Sequence, residues 1–324
     1  MALEDPPRAQ RRRTPAERDL ERLRRARLRS ERRRIGLGAR AGLAVAAVAL
    51  VALIVGVVAL MRTHAPKPAP TIAPPPETRV LIPEGETRAQ IAQIVAAKGL
   101  RGSYLVASRR SPLLDPRAYG APAGTPDLEG FLFPATYDQF AGAPAQRLVE
   151  AQLTAFRENF GPAVLARARA LHVTPYQLLI VASMVEREAL IPGDRSKIAA
   201  VIYNRLAQGM ALGIDASIYY AVEQAAHIPT YTGELTEAQL HIDSPYNTRT
   251  HVGLPPTPIS NPGLASIEAA AHPAHVAYLY YVAGADGCGE QVFSDTLAEF
   301  EADAAAYHEA LRRAGGHAPT CRHR

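Results

Sequence analysis

The chain has 324 residues, enough for two or three domains and a substantial core. Its formal charge of +5 is unevenly placed: residues 1–40 hold 14 Arg against 6 acids, a charge of +8, which leaves −3 on the rest. A mildly acidic body carries no general nucleic-acid footprint, so nucleic acid is excluded as its partner.

Residues 41–61 are 21 in a row without a charge, rich in Ala, Val, Leu and Ile. As a helix they span about 31 Å, close to one bilayer core. A cleaved signal peptide is the alternative, but the run is long for one and lacks a small-x-small cleavage site. The Arg-rich tail at 1–40 then stays in the cytoplasm, and residues 62–324 lie outside. The expectation is a single-pass cell-membrane protein with an extracytoplasmic body.

A Pro-rich linker follows at 62–78, with Pro66, Pro68, Pro70, Pro74, Pro75 and Pro76 as a semi-rigid spacer. Residues 79–127 open on a short strand, Arg79 to Ile82, and a turn at Pro83 to Glu86. Thr87 and Gln90 form a capping box, and Gly99 ends the helix they start. A unit this small cannot hold a core alone and must pack on something else. Residues 101–127 give no clear element.

The larger domain is expected at 128–313, with a tail at 314–324. Leu128 to Tyr137 reads as an aromatic strand or turn, and helices follow at 144–160 and 163–171. Thr174 and Pro175 start a helix that Ile191-Pro192-Gly193 stops. Asp194 caps the next, whose stripe is Ile198, Val201, Ile202 and Leu206. Residues 253–263 hold too many prolines for helix or central strand and form a rigid loop. Tyr278 to Ala283 and Gln291 to Ser294 flank a Gly-rich turn as a hairpin, and a last helix runs from Asp295 or Thr296 to about Arg313. Without regular strand–helix alternation, the fold class is α+β. Cys288 and Cys321 both fall in the exported body, where they can pair as a disulfide or stand as unrelated thiols.

The chemistry concentrates at Val181-Ala-Ser-Met-Val-Glu186-Arg-Glu188. The helix before Glu186 is apolar on most sides, so it should be buried. Burial favours a protonated carboxyl group, which a general acid needs. The alternative is a Glu on the edge of a core helix, paired with an Arg. Glu188 lies roughly 200° round the helix from Glu186, so the two do not face each other; Arg187 and Glu188 are expected on the wet face. Glu129, Asp215 and Asp243 are other carboxyls, none with an evident spacing to Glu186. A mechanism with one carboxyl avoids the difficulty: it protonates a glycosidic oxygen, then takes a proton from the substrate's own hydroxyl as that closes on the anomeric carbon.

Seven ordered motifs carry a resemblance: Ile82 to Thr87, Leu128 to Tyr137, Ala182 to Glu188, Val201 to Leu206, Ser244 to Thr248, Gly253 to Pro256 and Ala270 to Pro273. Across residues 79 to about 310 the chain resembles the endolytic murein transglycosylases, the MltG or YceG-like family. The resemblance implies a LysM-like subdomain at 79–127 and a catalytic domain at 128–313. It implies cleavage of the MurNAc–GlcNAc β-1,4 bond of nascent peptidoglycan strands, leaving 1,6-anhydro-MurNAc ends, and it puts the catalytic role on Glu186. Peptidoglycan synthases of the membrane are partners to expect. The segment before Leu128 looks short for the family. Glu129, Asn204, Arg205, Tyr246, Asn247 and Thr248 are candidates for substrate binding; Asn204 and Arg205 can equally be spent on local partners, and Tyr246 to Thr248 on turn chemistry. His272 and His275 have no third ligand beside them, so neither a metal nor a cofactor is expected. The rival readings are a wall-binding module without catalysis and a tethered interaction protein of the divisome or elongasome.

Overall fold

The computed structural model describes residues 15–63, 76–319 and 321. The tail before Pro15 and most of the expected Pro-rich linker lie outside the described residues. The chain divides into two units, 1–73 and 74–324. In the first, α1 (Pro15–Thr63) carries the apolar run, and Ala44–Arg62 within it is long and apolar enough to cross a membrane.

The second unit begins with β1 (Glu77–Leu81) and α2 (Arg88–Ala97), whose Thr87–Gln90 capping box forms in full. The short α3 (Tyr104–Ala107) follows, then β2 (Thr136–Phe140). β2 pairs antiparallel with β1, Val80 facing Tyr137. The strand that completes the small unit is therefore drawn from beyond residue 127. Leu128 to Ala135, within the stretch read as strand or turn, is turn and bend, and it buries Leu128, Phe131 and Leu132.

Helices α4 (Ala145–Asn159), α5 (Pro162–Ala170) and α6 (Pro175–Glu188) come next. α6 has Thr174 as N-cap in a full capping box and Pro175 in its first turn. Every residue from Leu178 to Val185 is buried, so α6 is the central helix of the fold. It packs against α5, α7 (Arg195–Ala207), α8 (Asp215–Ala226) and, across the α9 turn (Glu237–Leu240) and the Pro-rich loop, α10 (Leu264–Ala271). The hairpin β3 (Tyr280–Ala283) and β4 (Gln291–Ser294) is antiparallel, and α11 (Leu297–Arg313) packs on it behind Thr296. The structure joins Cys288, in the hairpin loop, to Cys321 by a disulfide.

Asp194 does not cap α7 as expected. Its backbone is already helical, at φ −94° and ψ −17°, and its side chain makes no capping bond. The buried carboxylate instead accepts the Gln291 N–H at 2.8 Å and the Lys197 ammonium at 3.2 Å, tying the hairpin to α7.

Candidate active site

Glu186 leaves the buried run of α6 one residue after Val185 and is half-buried at the helix end, less enclosed than expected. The Pro-rich loop is fastened over this helix through Ser183. Its hydroxyl accepts the Ile259 N–H at 3.0 Å, and its carbonyl accepts the Ser260 hydroxyl at 3.1 Å. The loop then delivers Gly263, the N-cap of α10, whose N–H donates to Glu186 Oε2 at 2.9 Å. Glu186 Oε1 accepts no protein hydrogen bond among the described residues.

The other wall is the turn at Pro83 to Glu86. Gly85 has φ +78°, a backbone that only glycine adopts without strain, and a Cβ there would be in ordinary contact with Glu186 Cγ at 3.4 Å. Arg187 donates to the Gly85 carbonyl at 3.3 Å. A side chain at Gly263 would meet the Glu84 carboxyl group, the far end of an exposed side chain that can swing aside. Glu84 and Glu186 thus converge on one glycine. Burial raises the Glu84 pKa, the charge of Glu186 raises it further, and Arg195 offsets part of this. Burial likewise raises Glu86, against the pull of Arg187.

Asn261 holds the two walls together. Fully buried, its side-chain oxygen accepts the N–H groups of Gly130 and Leu132 at 2.9 and 3.0 Å. Its amide donates to the Glu86 carbonyl and to Glu129 Oε1. The main chains of Gly85 and Glu86 pair with that of Asn261.

Glu129, a candidate substrate binder, is buried in this network. It takes the Arg88 N–H on both oxygens and also faces Tyr220. Burial, reinforced by Asp127, pushes its pKa up to about 8 against the hydrogen bonds from Arg88 and Asn261.

Glu188 departs from the wet face expected for it. Its carboxylate accepts the Ala216 N–H at 3.3 Å and the Tyr281 hydroxyl at 3.1 Å, and burial raises its pKa. The physical reason is that α8 and β3 cover this side of α6, a contact between distant segments. Beside it, a groove of about 390 Å³ is lined by Arg187, Glu188, Asp215, Tyr219, Tyr231 and Gly233, among others.

The remaining candidates are spent inside the fold. Asn204 donates to the carbonyls of Val276 and Tyr278, and Arg205 to those of Leu279 and Leu212 while lying over the Tyr280 ring. Asn247 holds the Leu240 and Ile242 carbonyls. Thr248 accepts the Ile214 N–H, and the Tyr246 hydroxyl meets Thr257. Sequence reasoning assigned no role to Glu84, Asn261 or Gly263; the signals present were the Pro83 to Glu86 turn and the Ser260-Asn-Pro-Gly263 end of the loop.

The model of the YceG-like family matches residues 58–306. The endolytic murein transglycosylase of Bacillus subtilis strain 168 is 38% identical over 173 residues, 53% of this chain and 46% of that protein. The endolytic murein transglycosylase of Streptococcus pneumoniae D39 is 35% identical over 156 residues, 48% of this chain and 28% of that protein. The matches therefore span about half or less of the curated relatives' length. A crystal structure of a YceG-like protein from Listeria monocytogenes superposes with a TM-score of 0.60 at 31% identity, covering 72% of this chain and 76% of that one.

Proposed function

This chain belongs to the YceG-like family, and on that premise we propose that it is a lytic transglycosylase of peptidoglycan. One observation carries the reading: Glu186 lies in the last turn of a buried helix with one oxygen fixed by the Gly263 N–H and the other, among the described residues, free of protein partners. Fixing one oxygen orients the other toward whatever enters the site.

The reaction runs as follows. Glu186 gives a proton to O4 of GlcNAc, and the bond from that oxygen to C1 of MurNAc breaks. The C6 hydroxyl of the same MurNAc closes on C1, and its proton returns to Glu186. The product is a 1,6-anhydro-MurNAc end, no water is consumed, and the enzyme leaves the cycle as it entered.

The strand–helix–helix–strand order of β1, α2, α3 and β2 supports a LysM-like role in gripping glycan, with β2 completing the unit expected at 79–127. The apolar run of α1 supports a single span with the +8 tail in the cytoplasm and the body facing the wall, where membrane-bound synthases deliver new strands. The test is digestion of purified peptidoglycan by the full chain in detergent. Anhydro ends in the mass spectrum are expected; intact strands retained on the protein would instead make it a binding module.

A further inference from the structure

As the bond to C1 lengthens, positive charge develops on the sugar ring, and glycosidases commonly meet it with a second carboxyl group. Glu84 occupies such a place. Its carboxyl lies against the Cα of Gly263, the residue whose N–H holds Glu186. Because the path between the two groups passes through one residue, their nearest oxygens are at most about 8 Å apart, close enough for both to reach the same sugar. Glu84 is largely exposed to solvent, its carboxyl only partly desolvated, and among the described residues it makes no hydrogen bond or ion pair. The charged groups acting on it are Glu186 from α6 and Arg195 from α7, and Arg195 is itself held by Ser266 of α10.

We infer that Glu84 is the second carboxyl group of this site, an ionised neighbour that stabilises the cationic anomeric centre while Glu186 moves the proton. The inference rests on the role proposed for Glu186. Glu84 forms no bond and transfers no proton: O4 gains the proton that Glu186 gives, and the C6 hydroxyl returns one. The alternative is that Glu84 only fills the space beside Gly263.

Glu84→Gln separates these, because glutamine keeps the size but not the charge. The full chain in detergent is assayed on peptidoglycan beside Glu186→Gln and Glu84→Asp. We expect Glu186→Gln to be inactive and Glu84→Gln to lose ~10- to 100-fold in kcat at a nearly unchanged KM. Glu84→Asp should recover part of the rate. A Glu84→Gln enzyme within about twofold of the parent in kcat overturns the inference and leaves Glu186 standing. An active Glu186→Gln enzyme overturns the proposed function, and the role of Glu84 with it.

Discussion

Glu129 invites a test because a carboxyl that resembles a substrate ligand in the sequence sits at the centre of the fold. Its folded pKa is raised from 4.5 to about 8, burial being the main cause. A raised acid contributes stability that is complete below the unfolded pKa and is lost as pH climbs through the folded one. Between these limits the unfolded chain binds about one proton fewer than the folded chain, so stability should fall by about 1.4 kcal/mol per pH unit. Across pH 5 to 8 that amounts to roughly 3–4 kcal/mol, or about 10 °C in Tm for a body of this size. Glu84, Glu86, Glu188 and Glu223 are raised as well and add a slope of the same sign. The informative quantity is therefore the difference between the parent and Glu129→Gln, which has nothing to titrate. Measured by urea or thermal unfolding of the full chain in detergent, the variant should gain on the parent steadily as pH rises. Parallel curves for the two proteins from pH 5 to 8 would refute the reasoning.

Asn261→Ala orphans the buried N–H groups of Gly130 and Leu132, at a cost of about 3 kcal/mol or more, read as a lower urea midpoint at constant slope. Glu188→Ala strips partners from the Ala216 N–H and the Tyr281 hydroxyl and should destabilise by about 2 kcal/mol, while the folded fraction keeps most of its cleavage rate at low temperature. A reporter active only outside the cytoplasm should work when fused after Arg324 and fail when fused before Ala41, with compartment-specific enzyme activity as the readout.

What the sequence made legible was local. Thr87 with Gln90 and Thr174 with Gln177 are three residues apart, so their capping boxes depend on no distant contact. The hairpin of β3 and β4 and the position of Glu186 at the end of a buried helix were legible for the same reason. What stayed hidden depends on pairs far apart in the chain. Asn261 meets Glu86 across 175 residues and Gly130 across 131, and neither spacing marks the sequence. Glu188 was assigned to solvent because nothing near it reveals that Tyr281 closes over it from 93 residues away. Asn204, Arg205, Asn247 and Thr248 carry donors that suit a sugar hydroxyl and a backbone carbonyl equally well. Only the docked loops around α7 and α8 decide between them. Asp194 shows the same limit from the other side: its position before a helix suggests a cap, and the distant Gln291 claims it instead.

The central claim is that Glu186 cleaves the glycan without water, and digestion in oxygen-18 water tests it most directly. The full chain should release MurNAc ends that carry no heavy oxygen and appear as the anhydro form, and Glu186→Gln should release none. Heavy oxygen in the MurNAc ends would show that water attacks the anomeric carbon and would contradict the account.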